Sequence, residues 1–151
     1  MSTKLTQNGT PMVESQSLKL LFASRELYDT LSTYVLTSLQ SIGYEDLSLA
    51  SLQFLGALDC GINYASEIAR QLGVSRQMVA KTVKELSELG YLKQESGLGK
   101  KKAIMYTLKG EKLIAVVRQI LAELDQQLTQ QVSHADIQRM LAQFIHLQEA
   151  L

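Results

Sequence analysis

The sequence has 151 residues, of which 46% are hydrophobic and 20% charged, and its 15 cationic side chains balance 15 anionic ones. This composition is typical of one globular domain with a modest core and excludes a disordered chain. No apolar run approaches the roughly 18 residues of a membrane-spanning helix, and the N-terminus lacks the apolar core of a signal peptide, so a cytoplasmic protein without a membrane partner is expected. The single cysteine, Cys60, cannot form an internal disulfide, as expected in a reducing compartment.

The first third of the chain divides into a polar arm and two helices. Residues 1–15 are polar and contain the only proline, Pro11, so this segment is predicted to be a disordered arm. The helical pattern over 18–42 is apolar on more than one side, and a helix of this kind has two packing partners. We therefore interpret residues 16–45 as a dimerisation helix that also packs on its own domain. A shorter apolar repeat over 48–58 predicts a helix that supports the next segment.

Residues 63–91 have the pattern of two helices joined by a tight corner. Gly73 ends the first helix, because glycine tolerates the left-handed conformation just past a helix end. Ser75 then caps the second helix, since its hydroxyl can accept a backbone N–H of the first turn. No proline or glycine interrupts the chain from there to Leu89. The segment is interpreted as a helix-turn-helix with a recognition helix over 75–89.

The predicted recognition helix has one apolar and one polar face. At about 100° per residue, a single apolar stripe contains Val79, Thr82, Val83, Leu86 and Leu89. Gln77, Lys81 and Lys84 lie on the opposite side, beside the small Ser75 and Ala80. An amide can hydrogen-bond a base edge in the major groove and cations can reach phosphates, while small side chains permit close approach. The alternative from spacing alone is an ordinary solvated surface helix.

A β-hairpin is predicted directly after this helix, over residues 91–107. Strand-forming segments flank a glycine-containing turn, and three consecutive lysines lie at its tip, Lys100, Lys101 and Lys102. A hairpin in this position makes a wing that can follow the phosphate backbone or enter the minor groove. Residues 46–110 are therefore interpreted as a winged helix-turn-helix lobe that binds double-stranded DNA.

The distribution of charge favours this interpretation although the net charge is zero. Between Arg70 and Arg118 the sequence has eleven cations and four anions, an excess of seven positive charges. The remaining residues carry four cations and eleven anions. Such segregation produces one face that attracts DNA and another that repels it.

Two further helices are predicted in the C-terminal part of the chain. An apolar repeat in steps of three and four predicts a long helix over 110–131, and Ser133 with Asp136 matches a capping box before the last helix. Residues 111–151 are interpreted as a linker helix and a C-terminal dimerisation helix, because their apolar faces exceed what so small a domain can bury. The alternative is that they only cover their own core. The predicted fold is mainly α with a small β-hairpin wing: a winged helix-turn-helix with long N- and C-terminal dimerisation helices.

This order of elements, with three segments in and around the helix-turn-helix, resembles the multiple-antibiotic-resistance regulator (MarR) family. The segments are Ser-Glu-Ile-Ala at 66–69, Leu-Gly-Val-Ser-Arg at 72–76 and Leu-Gly-Tyr-Leu at 89–92. The resemblance covers nearly the whole chain after about residue 16. It implies a dimeric transcription regulator on pseudo-palindromic DNA, often released by a small ligand or an oxidant. It also implies a ligand pocket between the dimer helices and the DNA-binding lobe, near aromatics such as Tyr28, Tyr34 and Phe54.

The wing departs from the pattern of that family in one respect. The family usually carries an Asp-Arg pair before the second wing strand, where the arginine enters the minor groove, whereas this chain has Lys100, Lys101 and Lys102. Lysine is a point charge without the planar fork of arginine, so phosphate contact or loose minor-groove contact is expected here. Another class of winged-helix regulator therefore stays open as a second assignment.

No grouping of side chains in the sequence suggests catalysis, a cofactor or a metal site. His134 and His146 are the only histidines, and neither has a partner at ligand spacing. Cys60 follows Asp59 at a predicted helix end and has no neighbouring cation in sequence, so it is expected to be an inert packing residue. A redox sensor acting through Cys60 is the alternative.

The leading hypothesis is a homodimeric repressor that binds an operator sequence-specifically and is released by a small ligand. Its predicted DNA-binding residues are Ser75, Arg76, Gln77, Ala80, Lys81, Lys84, Lys100, Lys101 and Lys102. A winged-helix module that binds an acidic protein partner is the main alternative. A ligand or redox sensor with secondary DNA binding differs from the leading hypothesis only in what switches it.

Overall fold

The computed structural model describes residues 3–97 and 99–151. In its N-terminal half the elements are β1 (Thr3–Leu5), β2 (Pro11–Val13), α1 (Gln16–Ser41), α2 (Leu49–Gly56), β3 (Asn63–Tyr64) and α3 (Ala65–Leu72). In its C-terminal half they are α4 (Arg76–Glu88), β4 (Leu92–Ser96), β5 (Lys102–Tyr106), α5 (Leu108–Thr129) and α6 (His134–Glu149). The predicted fold, mainly α with a small wing, is confirmed. None of the helices in these ranges is long and apolar enough to cross a membrane.

The wing belongs to a three-stranded antiparallel sheet in the order β3-β5-β4. β4 and β5 form the predicted hairpin, with Leu92 opposite Tyr106. The sequence did not predict β3, because a two-residue strand is too short to show alternation. The buried Asn63 holds this strand in place: its side-chain amide accepts the Asp59 N–H at 2.8 Å and donates to the Asp59 carbonyl at 2.9 Å. Leu98, part of the predicted turn, lies outside the described residues.

The hydrophobic core lies where α4 meets α1, α2, α3, α5 and the sheet. Val79, Val83 and Leu86 on the inner face of α4 are at most 1% exposed, as the predicted stripe required. Their surroundings include Leu39, Leu55, Ile68, Tyr91, Ile104 and Leu113. Burial of each such side chain contributes about 1.5–3 kcal/mol, so this cluster sets the position of the recognition helix within the lobe.

The N-terminal arm forms a small hairpin, whereas disorder was predicted for residues 1–15. β1 pairs antiparallel with β2, and Gly9 in the turn adopts a φ of 77°. Lys4 Nζ lies 2.6 Å from a carboxylate oxygen of Glu14, which joins the end of the hairpin to its first strand. Composition alone did not reveal this hairpin, because its strands have three residues each. Residues 1 and 2 lie outside the described part of the chain.

The start of α5 also differs from the prediction, which began the helix at Gly110. Thr107 is the N-cap: its hydroxyl accepts the Gly110 N–H at 3.1 Å and donates to the Gly90 carbonyl at 2.5 Å. Gly110 therefore lies in the first turn, against the backbone carbonyl of Tyr91, where a Cβ atom would overlap the carbonyl oxygen. The glycine marks a close approach of α5 to the wing base rather than a helix boundary.

The two terminal helices leave much of their apolar surface uncovered. Only Val35 and Leu39 are buried along α1, and no residue of α6 is buried. α6 begins at the predicted capping box, where Ser133 Oγ accepts the Asp136 N–H and donates to the Asp136 carboxylate at 2.6 Å. In the described chain α6 does not cover a core of its own, so the alternative explanation for its apolar face is wrong.

Two tyrosine hydroxyls tie the wing base to the supporting helices. Tyr106 Oη donates to the Leu55 carbonyl at 2.5 Å, and Tyr91 Oη donates to the Asp46 carboxylate at 2.9 Å. Burial raises the pKa of Tyr106 to about 12. Burial, with the Asp46 hydrogen bond, raises the pKa of Tyr91 further above its usual range. Both hydroxyls therefore stay protonated as donors in the folded state.

Tyr106→Phe should weaken the fold at neutral pH and reduce its sensitivity to alkali. Loss of the hydroxyl leaves the Leu55 carbonyl without this donor, at a cost of about 1 kcal/mol. Because the folded pKa of Tyr106 lies above the ordinary value of 10.0, its contribution is complete below about pH 10 and is lost as the pH rises toward about 12. Urea unfolding between neutral and alkaline pH should show a shallower loss of stability for the variant. Tyr28→Phe, on the half-exposed α1 surface, is the matched control; equal pH slopes for Tyr106→Phe and wild type would contradict the assignment.

Candidate nucleic-acid interface

The corner between α3 and α4 has the geometry that the sequence predicted. Gly73 adopts the left-handed conformation, with φ 65° and ψ 31°, and its N–H donates to the Ala69 carbonyl. Ser75 is extended, and its Oγ accepts the Met78 N–H at 3.1 Å. The cap satisfies one of the free N–H groups at the start of α4. Ser75, Arg76 and Gln77 are exposed, so the N-terminus of α4 is open to solvent.

The outer face of α4 carries six exposed residues of the predicted DNA-binding set: Ser75, Arg76, Gln77, Ala80, Lys81 and Lys84. Lys81 and Lys84 each lie 3.9 Å from a glutamate one turn further on, Glu85 and Glu88. Such exposed pairs contribute only about 0.3–0.5 kcal/mol. The pairs are weak enough for either lysine to exchange its glutamate for a phosphate.

Met78 is an exposed apolar residue at the start of α4 that was not in the predicted set. Its side chain is 53% exposed. In a groove, an apolar side chain of this kind can contact the methyl group of thymine. The sequence carried a signal for it, since Met78 lies outside the apolar stripe of the helix.

A cleft of 490 Å³ separates α4 from the wing. From the predicted set it brings together Arg76 and Ala80 of the helix with Lys101 and Lys102 of the wing. Lys100 and the α4 residues Gln77, Lys81 and Lys84 are exposed but do not line this cleft. The predicted residues thus form one continuous surface with two parts: the outer face of α4, and the cleft beside it.

Three further polar residues line the same cleft and were not predicted from the sequence: Tyr64, Ser66 and Gln94. Tyr64 and Ser66 belong to β3 and the start of α3, and pairing of β3 with β5 brings them beside the wing. Gln94 also lines an adjoining groove with Lys84 and Glu88. Contacts between residues so far apart along the chain leave no local pattern, so only the fold reveals them.

Not every cation of the basic segment is available to a ligand. Lys109 Nζ donates to the Leu89 carbonyl at 2.6 Å and lies 4.3 Å from the centre of the Tyr91 ring. Its charge therefore stabilises the C-terminal end of α4, where helix carbonyls are unpaired. Lys93 is paired with Glu95 at 2.7 Å on β4. The segregated charge of the sequence thus serves partly to stabilise the lobe.

The three aromatics implied as a ligand pocket do not converge. Tyr28 lines a cavity of 410 Å³ between α1, α2 and α5, together with Ser32 and Gln53. Phe54 is buried in the core at 4% exposure. The Tyr34 hydroxyl accepts a hydrogen bond from Gln127 Nε2 at 3.1 Å. Of these three residues, Tyr28 alone lines the cavity between α1, α2 and α5.

Cys60 is exposed, so the prediction that it packs in the interior is wrong, while its inertness stays a prediction. The helix that precedes it ends at Gly56, and the thiol lies beyond it at the surface. Arg118 Nη2, distant in sequence, lies 3.9 Å from the sulfur. Within residues 3–97 and 99–151 no three His, Cys, Asp or Glu side chains are grouped closely enough to hold a metal ion.

The fold is similar to that of several solved structures. FabT of Streptococcus pneumoniae, in complex with DNA, has a TM-score of 0.75 at 12% identity over 89% of this chain and 96% of its own. The S. aureus MepR-DNA complex has a TM-score of 0.68 at 19% identity, over 90% and 99%. A MarR transcriptional regulator from Methanosarcina mazei Go1 has a TM-score of 0.72 at 17% identity, over 91% and 92%. Neither a family model nor a curated protein matches the sequence.

The helix-turn-helix, the sheet order and the hairpin beside α4 define a winged helix-turn-helix protein. At the identities just given, the likeness to solved structures is one of fold. That fold, including the long helices at both ends of the chain, is the fold of the MarR-family transcriptional regulators.

Two serines of α4 should respond oppositely to alanine. Ser75→Ala removes the N-cap and should lower the free energy of unfolding by about 1 kcal/mol. Ser87→Ala should leave it unchanged or raise it slightly, because the Ser87 hydroxyl is buried without a hydrogen-bond partner among the described residues and alanine has the better helix propensity. Urea unfolding of both variants measures the difference. A loss of similar size in both variants would show that the Ser75 cap is not what stabilises the start of α4.

Proposed function

We propose that this chain is a MarR-family transcriptional regulator that acts in the cytoplasm as a homodimer and represses transcription from a pseudo-palindromic operator. The observation that carries the proposal is the continuous polar and basic surface formed by the outer face of α4 and the cleft beside the wing. FabT and MepR, which share the fold, were solved with DNA. The same surface in this chain is the part that would meet a duplex.

In the proposed complex the start of α4 enters the major groove. Gln77 can donate and accept at a base edge, and Arg76 can form two hydrogen bonds with a guanine. Ala80 and Ser75 are small, so the helix can approach the bases closely. Lys81 and Lys84 lie one and two turns further along, where the phosphate backbone crosses a helix that lies in the groove.

The wing supplies the second part of the proposed contact. Lys101 and Lys102 line the cleft next to α4, and Lys100 precedes them at the exposed tip. Ammonium groups bind phosphates without reading the shape of the minor groove as a guanidinium does. The wing is therefore expected to contribute affinity, and α4 to contribute most of the sequence preference.

The proposed dimer is formed by the terminal helices. Leu21 and Phe22 of α1 are 66% and 62% exposed, and Leu141 and Ile145 of α6 are 51% and 53% exposed. Apolar surface of this extent on both helices is typical of an interface with a second copy. A two-fold dimer would present two α4 helices to successive major grooves.

The proposed effector site is the cavity between α1, α2 and α5. Its volume of 410 Å³ falls within the range of roughly 300–1,000 Å³ of small-molecule sites. Tyr28, Ser32 and Gln53 provide polar groups in a mainly apolar lining. Because the lining helices belong both to the proposed dimer part and to the DNA-binding lobe, a ligand there would change their relative position.

Selection from a random duplex pool tests the function. If the protein is a homodimeric regulator, the selection should recover an inverted repeat whose half-sites are separated by about 10–10.5 base pairs or by a multiple of that spacing. Recovery of no consensus, with weak binding that vanishes as salt rises, would overturn the regulator proposal and favour a module that binds an acidic protein partner.

Substitutions in the two parts of the surface should have different effects on the selected duplex. Gln77→Ala should reduce discrimination at one or two base positions by about 1–3 kcal/mol while changing non-specific binding little. Alanine at Lys100, Lys101 and Lys102 should weaken binding to all sequences and reduce the salt slope of log affinity by roughly 0.9 for each phosphate that the wing no longer neutralises. Fluorescence anisotropy at several salt concentrations measures both.

The control for charge is Lys19→Ala, which removes one exposed cation from α1. This variant should retain the wild-type salt slope, because α1 lies outside the proposed contact surface. If Lys19→Ala lowers the slope as much as a wing substitution does, then the net charge of the protein and not the wing determines binding.

Phe144→Glu should convert the dimer into a monomer. Phe144 lies on the exposed apolar face of α6, and a buried charge without a partner opposes association strongly. Ala142→Glu introduces the same charge about 200° around the helix and should leave the dimer intact. Sedimentation equilibrium of the two variants and the wild type checks the interface. Dissociation in both variants, or in neither, would exclude this face of α6 as the contact.

A further inference from the structure

Tyr64 lies beneath the tip of the wing. It is the second residue of β3, and the β3–β5 pairing places it opposite Ala103. The side chain is half-buried and lines the cleft between α4 and the wing. Its ring is therefore positioned by the sheet, on the side of the wing that faces the recognition helix.

Gly97 packs directly on this ring. A Cβ atom at position 97 would lie 2.9 Å from Tyr64 Cε1 and 2.8 Å from the Lys101 carbonyl oxygen, closer than side chains normally approach. The Gly97 N–H donates to the same Lys101 carbonyl at 2.9 Å. The backbone at Gly97 thus packs on the Tyr64 ring, with no room for a side chain at position 97.

The Lys101 ammonium lies over the same ring. Its Nζ atom is 5.6 Å from the ring centre, inside the reach of about 6 Å at which an aromatic face attracts a cation. Among the described residues Lys101 has no acidic partner, in contrast to Lys93 on the neighbouring strand. The aromatic face therefore orients the cation without neutralising it.

We infer that Tyr64 is a positioning residue for DNA binding: its ring, packed against Gly97, holds the Lys101 ammonium beside α4, ready for a phosphate. This inference rests on the proposed function. A lysine side chain is flexible, and ordering it on binding has an entropic cost. The aromatic platform reduces that cost and supplies the orientation that a rigid guanidinium fork would otherwise provide.

The test uses a mixed-sequence 30-base-pair duplex, since phosphate contacts do not depend on sequence. Tyr64→Leu retains apolar packing but removes the aromatic face, and it should lower affinity by roughly threefold and reduce the salt slope by up to about 0.9. Tyr64→Phe retains the ring and should bind like the wild type. Thermal unfolding of the same variants separates an effect on binding from a loss of folded protein.

A double-mutant cycle with Lys101→Ala decides whether the two residues act together. If the ring acts through this lysine, Tyr64→Leu combined with Lys101→Ala should bind no more weakly than Lys101→Ala alone. Independent, multiplicative losses would overturn the inference, as would wild-type affinity and salt slope in Tyr64→Leu. Failure of the wild type to bind any duplex would overturn the proposed function as well, so the two failures are distinguishable.

Discussion

The position of α4 depends on the burial of its inner face, and the rest of the interface depends on α4. Val79, Val83 and Leu86 are almost completely enclosed, at 0%, 1% and 1% exposure. An α-helix turns by about 100° per residue, so fixing these three side chains also fixes where Gln77 and Lys81 point. The polar face lies outward because the apolar stripe occupies the side toward the core. The proposed DNA-binding surface is thus a consequence of core packing before any ligand is present.

The wing keeps its place relative to α4 through polar contacts at its base. Tyr106 bonds the backbone of α2, and Thr107 joins the loop after α4 to the first turn of α5. Lys109, in the first turn of α5, donates to the carbonyl of Leu89 at the C-terminal end of α4. These contacts connect α2, α4, the sheet and α5 in one lobe.

Local signals in the sequence were sufficient to predict much of this lobe. Gly73 and Ser75 predict the corner between α3 and α4, because helix termination and capping depend on residues only a few positions apart. The apolar stripe of α4 repeats often enough to show which side of the helix faces the core. Tyr64 could not be found in this way, since β3 pairs with β5, which is distant along the chain. Gln94 could not be found either, because its place beside α4 depends on how the hairpin packs on the helix. The prediction for Cys60 failed for the same reason: its exposure and its Arg118 neighbour depend on how α5 crosses the lobe. The assignment of DNA-contacting side chains itself stays a prediction.

The backbone contact at Gly110 also has a mechanical consequence. With no side chain between them, the backbone of α5 at Gly110 and the Tyr91 carbonyl are in direct contact at the base of the wing. From there α5 runs on the order of 30 Å to Thr129, at about 1.5 Å per residue. A tilt of about 5° around that point would move one end relative to the other by about 3 Å, close to the rise of roughly 3.4 Å between neighbouring base pairs. In the proposed dimer, a change in the angle of α5 at Gly110 would therefore change the distance between the two α4 helices.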